Sequence, residues 1–265
     1  MSLHHTLVHL RLQNARLTAY NAPIMQLSLI VPIYRQKDTI VQNIKLIVDG
    51  LQRTRFTYEV ICVVDGYDDD ESYHRLLKEN LLFVHVLGYP KNHGKSYAIR
   101  HGMKHATGDY VMFLDAGMEI DTSGISMLME HMIWYEADII VGSKRHPVSR
   151  VTYTPIRRFL SMGYYYLVRM LFGLNIKDTQ AGIKVFRRAV LKHILPRLVE
   201  KKFCGDLEML VAAKACGYHR IYEAPIKLDY TFSGVTSAKS LKAIRGMLID
   251  TAAIWYRRYV LKHYN

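Results

Sequence analysis

From residue 27 onward the chain alternates short apolar runs with longer stretches in which apolar residues recur every three or four positions. Leu27-Ser28-Leu29-Ile30-Val31 is a compact β-branched run stopped by Pro32, as a buried strand reads. Asp38 to Gln52 places Ile40, Ile44, Ile47 and Leu51 on one helical stripe. The same alternation predicts strands at Tyr58–Val64, Leu82–Leu87, Asp109–Leu114 and Ala137–Val141. Between them it predicts a helix opened by the acidic stretch Asp68 to Ser72, then helices at Gly94–Ala106 and Thr122–Tyr135. Five strands alternating with helices predict an α/β fold with a mostly parallel, doubly wound sheet and helices on both faces. Such sheets bind ligands beyond the carboxyl ends of their strands. Those ends carry Pro32-Ile33-Tyr34, Asp65, Asp115 and Gly142-Ser143-Lys144, three of them with polar or charged groups that a strand end does not itself require.

Beyond Lys144 the pattern changes. After a loop at His146–Thr154, Pro155 suits the first position of a helix reaching Phe172. Ile156, Phe159, Leu160, Gly163, Leu167, Met170 and Leu171 are expected on its apolar face, with Arg157, Arg158, Ser161, Tyr164, Tyr165, Val168, Arg169 and Phe172 largely on the rest. A helix apolar on one side and basic-aromatic on the other suits a membrane interface. A short strand is expected at Val185-Phe186, helices at Arg187–Leu195 and Asp206–Ala215, and strands at His219–Glu223 and Ile226–Tyr230. A last helix, Ala238 to Lys262, carries Leu241, Ile244, Leu248, Ala252, Trp255 and Tyr259 on one stripe and ends in Arg257, Arg258, Lys262 and His263. The expected organisation is an arm over residues 1–26, a catalytic domain over 27–237 and a C-terminal amphipathic helix over 238–265.

Composition narrows the partners. The 265 residues include 36 Lys and Arg against 23 Asp and Glu, a formal charge of +13, which favours an anionic partner: a phosphorylated substrate or an acidic membrane surface. No recognition motif supports a nucleic acid. Cys62, Cys204 and Cys216 share no metal-ligand spacing and are expected as buried thiols. Met1 to Gln26 is broken by His4, His5, His9, Arg11 and Arg16 and does not read as a secretory signal. No run is long and apolar enough to span a bilayer. Neither a Gly-x-Gly-x-x-Gly turn nor a P-loop is present, which argues against a dinucleotide or NTPase site.

The strand ends and loops carry a resemblance. Leu29-Ile30-Val31-Pro32-Ile33-Tyr34, Val63-Val64-Asp65, Lys91-Asn92-His93-Gly94-Lys95, Phe113-Leu114-Asp115-Ala116 and Asp178-Thr179-Gln180-Ala181-Gly182 recur in this order in one family. The chain resembles the inverting family 2 glycosyltransferases of GT-A fold, in their polyprenyl-phosphate branch (dolichol-phosphate mannose or glucose synthase-like). Each motif alone is weak; five in register are specific.

The resemblance implies a nucleotide-sugar site of Pro32, Tyr34, Asp65, Lys95, Asp115, Ala116, Lys144 and Gln180, with Asp65 accepting from the base and Lys144 facing phosphate. It implies a divalent cation, Mg²⁺ or Mn²⁺, at the family's Asp-x-Asp signature. Here the sequence departs: Asp115 is followed by Gly117, and Glu119 is expected to restore the second ligand. An acceptor phosphate would be held by Arg157 and Ser161, four residues apart on one helical face, and by Ser237 and Lys239. Asp206 and Glu208, with Asp115, form the implied catalytic set. A sugar-hydroxyl acceptor would need one of them as general base. A lipid phosphate, with a second pKa near about 6, is already largely ionised and would need positioning instead.

The expected reaction is hexose transfer from a UDP- or GDP-sugar to a polyprenyl phosphate with inversion, at the cytoplasmic face of the membrane. The basic-aromatic helices would hold the protein there, with a membrane-anchoring partner or a homo-oligomer left open. The competing readings are a family 2 transferase with a saccharide acceptor and a catalytically impaired nucleotide-sugar-binding partner protein, the latter favoured by Gly117.

Overall fold

In the computed structural model, residues 26–117, 121–149, 155–201, 204–227 and 241–265 are described. The strands are β1 (Gln26–Ile33), β2 (Thr57–Asp65), β3 (Val84–Tyr89), β4 (Tyr110–Leu114), β5 (Ile139–Ser143), β6 (Ile183–Arg187) and β7 (Ile221–Pro225). The helices are α1 (Ile40–Gln52), α2 (Ser72–Glu79), α3 (Lys95–His105), α4 (Ser123–Trp134), α5 (Pro155–Phe172), α6 (Arg188–Ile194), α7 (Gly205–Ala215) and α8 (Leu241–Tyr259). The strands form one sheet in the order β3-β2-β1-β4-β6-β5-β7. All neighbours are parallel except β6, which runs antiparallel to both β4 and β5. The strand order reverses between β1 and β4, which opens a crevice at their carboxyl ends.

Side-chain alternation splits the core into two layers. Leu27, Leu29, Val31 and Ile33 of β1 face α1 and α4, while Ile30 faces the layer built with α3, α5, α7 and α8. On that second face, Ser28 of β1 and Glu59 of β2 are paired across strands. Ser28 donates to Glu59 Oε1 at 2.5 Å, and Thr107 donates to the same oxygen through its backbone N at 2.8 Å and its hydroxyl at 2.7 Å.

Several boundaries differ from the sequence reading. The expected strand Ile226–Tyr230 does not form where the chain is described: Ile226 and Lys227 follow β7 outside the sheet, and residues 228–230 lie outside the described set. The last helix stops at Tyr259, because Lys262 takes a left-handed turn (φ 51°) that folds Tyr264 back into the core. On α5 the packed positions are ones expected off the apolar face, while Phe159, Leu160 and Met170 of that face are exposed. Val168 and Phe172 are buried with Tyr164 beside them, while Phe159 (78% exposed), Met162, Tyr166 and Met170 (76%) face outward. Tyr164 is turned inward because its hydroxyl meets Thr251 Oγ1 of α8 at 3.0 Å. On α8 the packed positions are Met247, Thr251 and Ile254, which leaves Leu248, Trp255 and Tyr259 exposed. Of the expected arm, residues 1–26, positions 1–25 lie outside the described residues and Gln26 opens β1. Cys62 and Cys204 are buried free thiols, and Cys216 is a half-buried one. Burial pushes Cys62 up to about 12, which leaves it unreactive.

Candidate active site

The sheet's carboxyl edge ties the strand-end residues to two loops, Lys91–Gly94 and Asp178–Gly182. β2 ends at Asp65, which is buried. Its carboxylate accepts from Asn92 Nδ2 (2.9 Å), the backbone N of His93 (2.7 Å) and the backbone N of Gly94 (2.9 Å). Three of about four acceptor sites are thereby taken. The sequence reading gave Asp65 to a nucleobase; the structure gives its carboxylate to the Lys91–Gly94 turn, which delivers Lys95 to the first position of α3. Tyr34, at the end of β1, is exposed with the Arg35 guanidinium over its ring (5.1 Å), and Pro32 is half-buried beside it.

Lys95 is the hub. Its Nζ donates to Asp115 Oδ2 at 2.9 Å and stands 2.8 Å from Oδ1, an oxygen that is buried and accepts no hydrogen bond. The same ammonium lies 3.8 Å from Asp206 Oδ2. Asp206 Oδ1 accepts from Lys184 Nζ at 2.8 Å, and Lys184 also donates to the carbonyl of Ala181 at 2.8 Å. Four side chains thus alternate in sign, Asp115–Lys95–Asp206–Lys184, with the Phe113 ring near both ammonium groups (6.0 and 5.1 Å). Burial pushes the Lys184 ammonium below the usual lysine range, and Asp206 offsets only part of that shift. Asp206 is engaged by both lysines, an arrangement that suits holding cations in place.

The backbone supports Asp115 closely. Its N donates to the carbonyl of Gly182 at 2.9 Å, and a Cβ on Gly182 would sit 2.2 Å from Asp115 Oδ2, so only glycine leaves room for this carboxylate. Ala116 is buried, and its carbonyl accepts from Asn43 Nδ2 at 2.9 Å. Gln180 has a buried amide nitrogen without a hydrogen-bond partner, in the loop that precedes β6. Lys144 is half-buried and its backbone N donates to Asp178 Oδ2 at 3.0 Å, which ties the β5 end to that same loop.

Glu208 departs from its expected catalytic place. It is completely buried and points away from Lys95. Its carboxylate accepts from the backbone N of Val199 (3.0 and 3.1 Å), the backbone N of Glu200 (2.8 Å) and the Tyr264 hydroxyl (2.7 Å). Arg257 stands 3.8 Å away and is paired with Glu200. Glu208 therefore fastens α7 to the C-terminal turn, and Arg257, expected among the headgroup cations, belongs to this clasp.

On the expected acceptor side, Ser161 is half-buried on α5 and its carbonyl accepts from Arg145 Nη1 at 3.0 Å. Arg157 is on the same helix, but its side chain lies outside the described set, as do Glu119, Ser237 and Lys239. Sequence reasoning passed over Lys184 and Asn43. Lys184 is the one charged residue in the run Ile183 to Phe186, and Asn43 lies on the buried side of the Ile40, Ile44 and Ile47 stripe; those breaks in pattern were the available signal.

Asp115 fits a divalent cation as one ligand, since its carboxylate is a hard oxygen donor that already holds a cation, the Lys95 ammonium 2.8 Å from Oδ1, which the metal would displace. Among the described residues no group of three or more His, Cys, Asp or Glu side chains is set to hold a metal unaided. The donor diphosphate would have to complete the shell.

The model of the family described as Glycosyl transferase family 2 matches residues 28–195. Two dolichyl-phosphate beta-glucosyltransferases of Trichomonas vaginalis are similar: one is 28% identical over 91% of this chain and 74% of its own length, the other 30% over 74% and 64%. The dolichyl-phosphate beta-glucosyltransferase of Saccharomyces cerevisiae is 28% identical over 83% of this chain and 74% of its own length. Among solved structures, mannosyl-3-phosphoglycerate synthase from Rubrobacter xylanophilus superposes with a TM-score of 0.67 at 14% identity, covering 90% of this chain and 75% of that one. Glucosyl-3-phosphoglycerate synthase from Mycobacterium tuberculosis, in complex with Mn²⁺, UDP-glucose and phosphoglyceric acid, gives 0.65 at 14% identity over 88% and 79%. The structural likeness establishes the α/β fold of GT-A type.

Proposed function

The chain belongs to glycosyl transferase family 2, and from that membership and this site we propose that it moves a hexose, glucose foremost, from a nucleotide sugar to a polyprenyl phosphate. Glucose is favoured because the similar proteins named above are beta-glucosyltransferases acting on dolichyl phosphate. The observation that carries the lipid acceptor is the outward apolar stripe of α5, Phe159, Met162, Tyr166 and Met170, on the helix that also bears Arg157 and Ser161. A saccharide acceptor has no use for such a surface; a lipid phosphate needs one beside its phosphate grip. The adjoining α8, bonded to α5 through Thr251 and Tyr164, also leaves Leu248, Trp255 and Tyr259 exposed. No helix among the described residues is long and apolar enough to cross a membrane. The exposed stripe supports attachment at the membrane surface, on the face where nucleotide sugars are made.

The reaction is a single displacement. An oxygen of the acceptor phosphate attacks the anomeric carbon, the new C–O bond forms as the bond to the nucleoside diphosphate breaks, and configuration inverts. The attacking oxygen is already ionised, which matches an Asp206 held between two lysines. The chain's part is alignment and charge neutralisation. Lys95, freed to turn from Asp115 toward the diphosphate, offsets charge on the leaving group, and Lys144 and Gln180 line the same rim. A Mg²⁺ or Mn²⁺ ion bound by Asp115, Glu119 and the diphosphate would neutralise the leaving nucleotide further. Tyr34 and Pro32 would wall the base, and Ser237 and Lys239 would cover the acceptor phosphate.

The test is label transfer by the purified protein, with UDP- and GDP-sugars, polyprenyl phosphate in detergent, and Mg²⁺, Mn²⁺ or EDTA. Label is expected in the lipid phase from UDP-glucose, reduced by EDTA and by Glu119→Ala. Transfer that persists unchanged with EDTA retains the reaction and removes the metal. Label that enters only water-soluble saccharide overturns the lipid acceptor.

A further inference from the structure

Lys184 is the fourth member of the charged chain and the one the reaction does not use. It occupies the middle of the sheet: its register partners are Phe113 on β4 and Val141 on β5. Its neighbours along β6, Ile183 and Val185, fill one core layer, and Phe186 fills the other beside it. The side chain is wholly buried. An apolar residue would satisfy packing there at no desolvation cost, whereas an ammonium is tolerated only if paired and hydrogen-bonded. Lys184 meets that condition with two partners that both belong to the site. Asp206 Oδ1 takes one bond and the Ala181 carbonyl the other, each at 2.8 Å.

Those contacts connect the two sides of the donor site. Through Asp206, whose other oxygen faces Lys95, the position of the Lys95 ammonium is set against Asp115. Through Ala181, the Gln180–Gly182 backbone is held where its Gly182 carbonyl receives the Asp115 N–H. We infer that Lys184 is a positioning residue of the transferase site. Its buried ammonium fixes Asp206, and Asp206 in turn aims Lys95 at the donor's diphosphate. Lys184 itself touches no substrate. The inference rests on the reading of Lys95 and Asp115 as donor-binding groups.

A double-mutant cycle on nucleotide binding tests it. Calorimetry with UDP and with GDP, in Mg²⁺, compares the full-length chain with Lys184→Met, Lys95→Met and the double variant. Lys184→Met is expected to weaken the bound nucleotide by about tenfold in the wild-type background and to change it little once Lys95 is Met, since the effect travels through that ammonium. A purely structural role would lower affinity by the same factor in both backgrounds, and that result overturns the inference, as does an unchanged affinity in the single variant. If Lys184→Met does not fold, Lys184→Gln, which keeps a donor for Ala181 and Asp206 but no charge, enters the same cycle with the same expectation. If the wild-type chain binds neither nucleotide, the donor reading and the inference fall together; if it binds and the cycle is additive, the inference falls alone.

Discussion

Gly182 shows how closely this site is drawn around one carboxylate. The hydrogen on its Cα faces Asp115 Oδ2, and any Cβ would intrude to 2.2 Å. Gly182→Ala therefore has to move the Asp115 carboxylate and, with it, the Lys95 ammonium. Misplacing a substrate-aligning group by about 1 Å can cost on the order of 10²-fold in rate, so transfer should fall by roughly that factor. The thermal melting point should move little, because the displaced groups sit at the crevice. A rate equal to wild type, measured in the same assay, would mean that Asp115 is free to relocate and that its geometry is not limiting. Asp65 teaches a related lesson. Its position at a strand end advertised ligand contact, yet two backbone N–H groups and Asn92 have claimed most of its lone pairs.

Helix α7 carries both candidate carboxylates, and the 100° turn per residue sends them to different tasks. Asp206 meets the two lysines; Glu208, two positions on, meets Val199, Glu200 and Tyr264. Glu208→Gln places an amide where only donors converge, and should cost roughly 2–4 kcal/mol of stability in urea unfolding. Tyr264→Phe, which removes one donor, should cost about 1 kcal/mol. Transfer per folded molecule should survive both; a collapse of turnover with unchanged stability would instead make Glu208 a catalytic residue. At the opposite edge of the sheet, Glu59 binds β1 and the turn before β4 to β2. Burial pushes its carboxyl upward, but the bonds from Ser28 and Thr107 outweigh that, and the net shift is downward. A carboxyl with a lowered folded-state pKa stabilises the protein above its unfolded value, near about 4.3, and loses that contribution as pH falls through the folded value. Glu59→Gln should thus flatten the acid limb of the stability–pH curve below that point. A limb of unchanged steepness would assign acid unfolding to other groups.

The assembled surface joins +13 of charge to two adjacent helices that turn apolar side chains outward. Phe159 and Met170 mark the ends of the α5 stripe. Vesicles of anionic lipid should carry the wild-type protein in flotation, and Phe159→Glu with Met170→Glu should release it while leaving nucleotide binding intact. High salt should weaken attachment only in part, because the apolar share is not screened. Flotation unaffected by the two substitutions would move the docking surface elsewhere on the molecule.

Local chemistry was legible in the chain itself. β-branched runs between helical stripes announced a parallel α/β sheet, because strand and helix periods differ and parallel strands need crossovers. The strand-end positions of Asp65, Asp115 and Lys144 followed from that order, and the spacing of Lys95, Asp115, Gln180 and Asp206 matched a family pattern. Three matters were settled by long-range packing. The antiparallel insertion of β6 between β4 and β5 depends on hydrogen bonding between strands far apart in sequence. The buried faces of α5 and α8 could not be read, since each helix is apolar on more than one side and periodicity reports a stripe without naming what covers it. The tasks of Lys184, Asp206 and Glu208 depend on partners up to 56 residues away, as between Glu208 and Tyr264. A carboxylate's role is set by the donors that reach it, and only the folded chain brings those donors within 3 Å of it.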